Sequence, residues 1–173
     1  DEFKSLVEKI GCSIISQTEE LVPVEKEIYS LRDVTGTVES IPLITSSILS
    51  KKIAGGAKTI IFDVKVGSGA FMKDIKTAEE LALWLKDIGE TFGKSINVVI
   101  SDMNQPLGNA VGNLLEVLEA IDTLKGNGPE DLTELAIETA GTIASKELLK
   151  NSLSNGMAFN KFLDTFFYFW PVF

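Results

Sequence analysis

The chain has 173 residues, 45% hydrophobic and 24% charged, which is the balance of a globular protein with room for a buried core. A net charge of −9 with only 16 basic residues argues against nucleic-acid and anionic-membrane surfaces, both of which attract basic patches. Histidine is absent and Cys12 is the single cysteine, so Ser-His-Asp and Cys-His catalysis are excluded within these residues and no intrachain disulfide can form.

Asp1-Glu2-Phe3 opens the sequence without a signal-peptide pattern, and the expectation is a segment of something longer in a reducing, cytoplasmic setting. Phe3, Leu6, Val7 and Ile10 recur at helical spacing, and Cys12, which lacks a histidine to activate it, reads as a buried structural thiol. A short extended run is expected over Ser13–Ser16, then a helix over residues 24–32. The turn Asp33-Val34-Thr35-Gly36 leads to Ser40, a candidate N-cap for a helix with Pro42 in its first turn and Gly55-Gly56 at its end.

Residues 59–66, rich in β-branched side chains, read as a strand entering the Gly67-Ser68-Gly69 loop. Thr77 and Glu80 form a candidate capping box ahead of a helix whose buried face would carry Leu81, Trp84, Leu85, Ile88 and Phe92. A second strand follows over residues 96–102, then a helix marked by Val111, Leu114, Leu115, Leu118 and Ile121, and another opened by Pro129 with Leu132, Leu135, Ala136 and Ile143 towards the core. This strand–helix alternation predicts an α/β fold, a mostly parallel or mixed sheet flanked by helices, with ligands beyond the carboxyl ends of the strands. One domain is expected over residues 1–161. Residues 162–173 form an aromatic tail, too short for the roughly 20 residues of a membrane span.

Three places draw a chemical reading. On the helix after Ser40, Ser47 and Lys51 lie at i and i+4 with Ile44 on the same side, and Arg32 precedes them; hydroxyl, cations and an aliphatic face suit a flat polar ring. The plainer reading makes Lys51 and Lys52 a solvated helix end and Ser46 and Ser47 surface. Gly67 and Gly69 lack the third glycine of a dinucleotide fingerprint and read as a tight turn. Glu116, Glu119 and Asp122, three apart on a helix, invite a cation but more simply form a solvated face.

The wording of the sequence goes further than its spacing. The run from Tyr29 through Arg32-Asp33-Val34-Thr35-Gly36 to Ile41-Pro42-Leu43-Ile44-Thr45-Ser46-Ser47 and Lys51-Lys52 closely resembles the signature of pyrimidine-nucleoside and thymidine phosphorylases. The resemblance continues through Asp63-Val64-Lys65-Val66-Gly67-Ser68-Gly69-Ala70-Phe71-Met72 and Ser101-Asp102-Met103-Asn104-Gln105-Pro106, over about residues 1–165. It implies a pentosyltransferase that uses phosphate to release the base of a pyrimidine nucleoside, with no organic cofactor and a homodimer as the intact enzyme. By position, Arg32, Ser47 and Lys51 would hold the pyrimidine while Ile44 and Phe71 pack on it, and Leu107, Ala110 and Glu119 would contribute to a potassium site. The family's Lys-His-Ser-Thr-Gly-Gly phosphate loop does not occur in these residues, so inactivity of the isolated chain is expected. A non-catalytic remnant or interaction module is the alternative; a relative of anthranilate phosphoribosyltransferase shares the fold but not this signature.

Overall fold

The computed structural model describes residues 2–14 and 22–169. It contains two compact units, one formed by Gln17–Pro106 and the other by Asp1–Ser16 with Leu107–Phe173. No helix among the described residues is long and apolar enough to cross a membrane.

The first unit holds α1 (Pro23–Val34), α2 (Ile41–Ala54), β1 (Thr59–Val66), α3 (Ile75–Thr91) and β2 (Ser95–Asp102). The strands pair in parallel from Thr59 opposite Ser95 to Val66 opposite Asp102. α3 makes the crossover, as parallel neighbours require, and packs on both strands; α2 packs on α3. The core follows from the period of two in β1: Ile60, Phe62, Val64 and Val66 face inward onto Leu49 of α2 and onto Ala78, Leu81 and Leu85 of α3. The other face of the pair is polar near its end. There Lys65 donates to the Ser101 hydroxyl at 2.9 Å and pairs with Asp63 at 2.7 Å, while Ser101 donates to Asp63.

The helix in the crossover differs from its expected form. Asp74, not Thr77, is the N-cap: its carboxylate accepts from the Thr77 backbone N–H at 2.9 Å, which starts α3 earlier. Trp84 and Phe92 share the helical period of Leu81 and Leu85 but are 38% and 60% exposed. They fall at the margin and at the C-terminus of the buried stripe, which Ala78, Leu81 and Leu85 fill.

The second unit is helical: α4 (Glu2–Ile10), α5 (Asn113–Leu124), α6 (Glu130–Ala140), α7 (Lys146–Ser154) and α8 (Met157–Phe169). α6 packs on α7, α7 on α8, and α4 and α5 on α8. Cys12 is half-buried rather than buried, with its sulfur 3.1 Å from the Thr165 hydroxyl. Ser13 and Ile14 are irregular where a short extended run was expected, and Ile15 and Ser16 lie outside the described residues. So do residues 170–173 of the aromatic tail, whose residues 162–169 belong to α8. The expected inner faces are displaced as well: Val111, Leu114, Leu115 and Leu118 are exposed, and in α6 the buried position is Ile137, with Ala136 and the downstream Ile143 exposed. Periodicity marks an apolar stripe, but whether a neighbour covers it is decided by packing.

Asp131 in the first turn of α6 fixes the loop before α5. Its two oxygens accept from the backbone N–H of Gly108 at 2.9 Å and of Leu132 at 2.8 Å. These bonds, the Gly108 bond first, hold its carboxyl below the ordinary value of 3.8.

Two outcomes are expected. Leu85→Ala should lower the unfolding free energy in urea by about 2–5 kcal/mol, and Trp84→Ala should cost less than about 1 kcal/mol, because only Leu85 leaves a cavity. Since the Asp131 carboxyl is depressed in the fold, its contribution is complete above the unfolded value and is lost as pH falls through the lower folded one. In an acid titration followed by NMR the Gly108 amide should therefore move only below about pH 4, an aspartate's ordinary range, and Asp131→Asn should abolish that step.

Candidate functional site

The residues expected to bind a ring lie on α1 and α2. Glu25, Tyr29 and Arg32 recur at i, i+4 and i+7 on α1, one face of the helix. That helix is entered through Val22 at φ 48°, an unusual left-handed conformation for a β-branched residue. On α2, Ile44, Ser47, Ile48 and Lys51 fall within about 100° of one another around the axis. The helix runs from Ser40, which gives no side-chain cap bond, to Gly55. The expected bounds hold.

What joins the two helices is Glu25, a residue the sequence reading did not select. It is only 9% exposed. Its Oε1 accepts the hydroxyl proton of Ser47, and its Oε2 lies 3.1 Å from the Lys51 ammonium. A buried carboxylate without partners would cost several kcal/mol, so this double contact is what permits Glu25 to sit between the helices. The serine is accordingly buried rather than surface, at 8% exposure, whereas the Lys51 side chain keeps about a third of its surface, 29%. The signal that could have found Glu25 is its stripe with Tyr29 and Arg32; read alone, a glutamate in a first helical turn is an ordinary exposed residue favouring the macrodipole.

Tyr29 is half-exposed and stands between the cations. Its ring centroid is 5.4 Å from the Arg32 guanidinium and 5.7 Å from the Lys51 ammonium, within cation–π range. Arg32 is 4% exposed. Its Nη2 donates to the Val38 carbonyl and its Nη1 lies 3.5 Å from the Leu43 carbonyl, so the fork holds the turn between the helices against the start of α2. Its Nε is buried without a hydrogen-bond partner among the described residues. That is a donor left over.

Ile44 and Phe71 come together elsewhere on the same unit. They line an apolar pocket of about 500 Å³ with Ile48, Met72, Leu81 and Met103, beyond the carboxyl end of β1. Arg32, Ser47 and Lys51 are not among its walls. α2 thus carries a polar cluster and a pocket wall on adjoining stripes. The loops after the two strands are locked together to form that wall: Gly69 donates to the Met103 carbonyl at 2.9 Å, and Ser68 to the Asn104 side chain at 3.0 Å. Here the glycines do more than turn the chain. A Cβ on Gly67, whose φ is +133°, would stand 2.8 Å from Asn104, and one on Gly69 would stand 2.8 Å from the Met103 carbonyl.

The candidate cation residues lie in the helical unit. Glu119 Oε1 accepts from the backbone N–H of Asn109 at 2.9 Å and of Ala110 at 3.1 Å. Gly108, at φ +72°, lets the loop close so tightly that a Cβ there would meet Glu119. Neither Glu116 nor Glu119 is merely a solvated acid, because Glu116 in turn accepts from Gly112. Asp122 lies 4.0 Å from Lys125. Among the described residues no group of three or more histidine, cysteine or acidic side chains is placed to hold a metal ion.

Comparison with known proteins agrees with the expected family. The glycosyl transferase family a/b domain matches residues 1–161. The pyrimidine-nucleoside phosphorylase of Staphylococcus haemolyticus (strain JCSC1435) is 50% identical over 173 residues, covering 94% of this chain and 40% of that protein. That of Bacillus subtilis (strain 168) is 50% identical over 175 residues, covering 95% and 40%, and one from Staphylococcus epidermidis (strain ATCC 12228 / FDA PCI 1200) is 49% identical over 172, covering 93% and 40%. The chain spans about two fifths of the length of these relatives. With the family domain matching nearly the whole chain, and with the βαβ unit described above, the chain belongs to the glycosyl transferase family through its a/b domain.

Proposed function

We propose that this chain is the base-binding part of a pyrimidine-nucleoside phosphorylase, which transfers the pentose of a pyrimidine nucleoside to phosphate and releases the free base. The observation that carries the reading is the joining of Ser47 and Lys51 by Glu25 on the face shared with Arg32 and Tyr29. It sets a buried hydroxyl and the partly open Lys51 ammonium on α2, with Tyr29 in cation–π range of both Lys51 and the buried Arg32, and the same helix presents Ile44 to the apolar pocket that Phe71 also lines.

The chemistry these groups supply follows from the reaction. As phosphate attacks the anomeric carbon, the bond to the pyrimidine nitrogen breaks and its electron pair leaves with the base. Negative charge spreads onto the two ring carbonyls. Arg32 and Lys51 would stabilise that charge more in the transition state than in the substrate, which is what lowers the barrier. The Arg32 Nε is buried without a hydrogen-bond partner among the described residues, a donor left unsatisfied at a cost in free energy. No step requires a histidine from these residues. Phosphate binding and the dimer contact would come from parts of the full-length enzyme outside this sequence.

A monovalent cation is a second element of the reading. Glu119 keeps one oxygen beyond those bonded to the loop amides, and the loop brings Ala110 against it. With the carbonyls of Leu107 and Ala110 it would make an all-oxygen donor set, suited to a hard cation such as potassium, whose role would be to stiffen the loop.

In a complete phosphorylase carrying this segment, Lys51→Met should lower kcat for uridine phosphorolysis by about 10²–10³-fold, the usual loss when one donor to a developing anion is removed. Uracil release measured under saturating phosphate checks it. Unchanged turnover would remove Lys51 from the mechanism and favour a non-catalytic role for the chain.

A further inference from the structure

We infer that Asn127 is a modification site, converted to aspartate and isoaspartate by attack of the neighbouring backbone nitrogen, and that the fold directs this chemistry to Asn127 and away from the second Asn-Gly pair, Asn155-Gly156. The inference stands apart from the base-binding reading and does not depend on it.

In an Asn-Gly pair the glycine nitrogen attacks the carbonyl carbon of the asparagine side chain. The new C–N bond closes a five-membered imide, and the side-chain nitrogen leaves as ammonia, taking the proton that the backbone N–H gives up. Water then opens the imide at one carbonyl or the other. One opening gives aspartate; the other gives isoaspartate, in which the main chain runs through the former side-chain carbon. Nothing is oxidised or reduced, and water is the sole co-reactant. Glycine favours the step because it sets no side chain beside the attacking nitrogen. The structure must also leave the glycine N–H unpaired, leave the asparagine side chain able to turn, and let the nitrogen eclipse the asparagine Cβ, since the ring is close to planar.

Asn127 lies in the turn between α5 and α6 and is exposed. Its own backbone N–H bonds the Asp122 carbonyl at 2.9 Å. Among the described residues its side chain makes no hydrogen bond, and neither does the Gly128 N–H. Both reacting groups are therefore unengaged. Glycine is required at 128 for a separate reason, because a Cβ there would collide with the Thr123 side chain. The packing that shapes the turn thus demands the very neighbour that makes Asn127 labile.

Asn155 has the same neighbour and the opposite surroundings. As the residue closing α7 it has φ −94° and ψ 1°, which sets the Gly156 nitrogen eclipsed with the nitrogen of Asn155 itself rather than with its Cβ. Its Oδ1 accepts from the Met157 N–H at 2.9 Å and so caps α8, while the Gly156 N–H is directed at the Leu153 carbonyl at 3.4 Å. Ring closure there would have to break the cap and turn the backbone out of its helical value. Conversion at Asn127 breaks nothing comparable. It adds a carboxylate to the wall of a cavity that Glu119 and Asp122 also line, and in the isoaspartate form it lengthens the turn between α5 and α6 by one backbone carbon.

The test is incubation of the 173-residue chain in mildly alkaline buffer, folded and in concentrated urea, with the peptides holding residues 127 and 155 followed by mass spectrometry and their aspartate and isoaspartate forms separated by chromatography. In the folded chain Asn127 should convert at least about tenfold faster than Asn155, and in urea, where both pairs lose their surroundings, the two rates should come together. Asn127→Gln should remove the early product and Asn155→Gln should leave it. Equal rates in the folded chain, or faster conversion of Asn155, overturn the inference. So does a rate ratio that urea leaves unchanged, because the local sequence and not the fold would then set it.

Discussion

The contact on which the candidate site depends is the buried carboxylate of Glu25 between α1 and α2. Burying a carboxylate is unfavourable unless both oxygens are satisfied, and here one takes a hydroxyl proton and the other an ammonium. The same contact fixes three things at once: the position of α1 beside α2, the direction of the Ser47 hydroxyl, and the placement of the Lys51 head group. Arg32 adds to this by bonding the carbonyls of the intervening turn and of the first turn of α2. The polar edge is thus built into the packing of two helices rather than hung on a loop, which favours precision.

A second constraint shapes the apolar wall. The two parallel strands end side by side, and the loops that leave them cross closely enough that Gly67 and Gly69 have no space for a side chain. Phe71 follows that crossing in the chain and lines the same pocket as Ile44. Pocket and polar edge share α2, so a small rotation of that helix would move both together. The position beyond the carboxyl ends of parallel strands is where open α/β sheets generally place their ligands.

Much of this was legible in the sequence. The run of β-branched residues before Gly67 marks β1 with its observed bounds, and Ser40, Pro42 and the Gly55-Gly56 pair bracket α2, because local propensity and termination agree there. Failures came where a choice between neighbours or elements had to be made. Asp74 displaced Thr77 as cap, since either side chain satisfies an orphan N–H and only the backbone entering the helix decides. Trp84 and the apolar face of α5 read as core by spacing, yet spacing is blind to which stripe finds a neighbour. Glu25 escaped because its role is tertiary: nothing local separates a glutamate that bridges two helices from one that faces water. The roles of Arg32, Ser47 and Lys51 came from the family signature, and their bland alternative was reasonable on spacing alone.

The most direct measurement is a crystal structure of the chain with uracil bound. The account predicts the ring seated with N3 within hydrogen-bonding distance of the Ser47 hydroxyl, its carbonyls towards Arg32 and Lys51, and Glu25 still bonded to both Ser47 and Lys51. Uracil seated away from α2, or seated there with Glu25 released from Ser47, would contradict it.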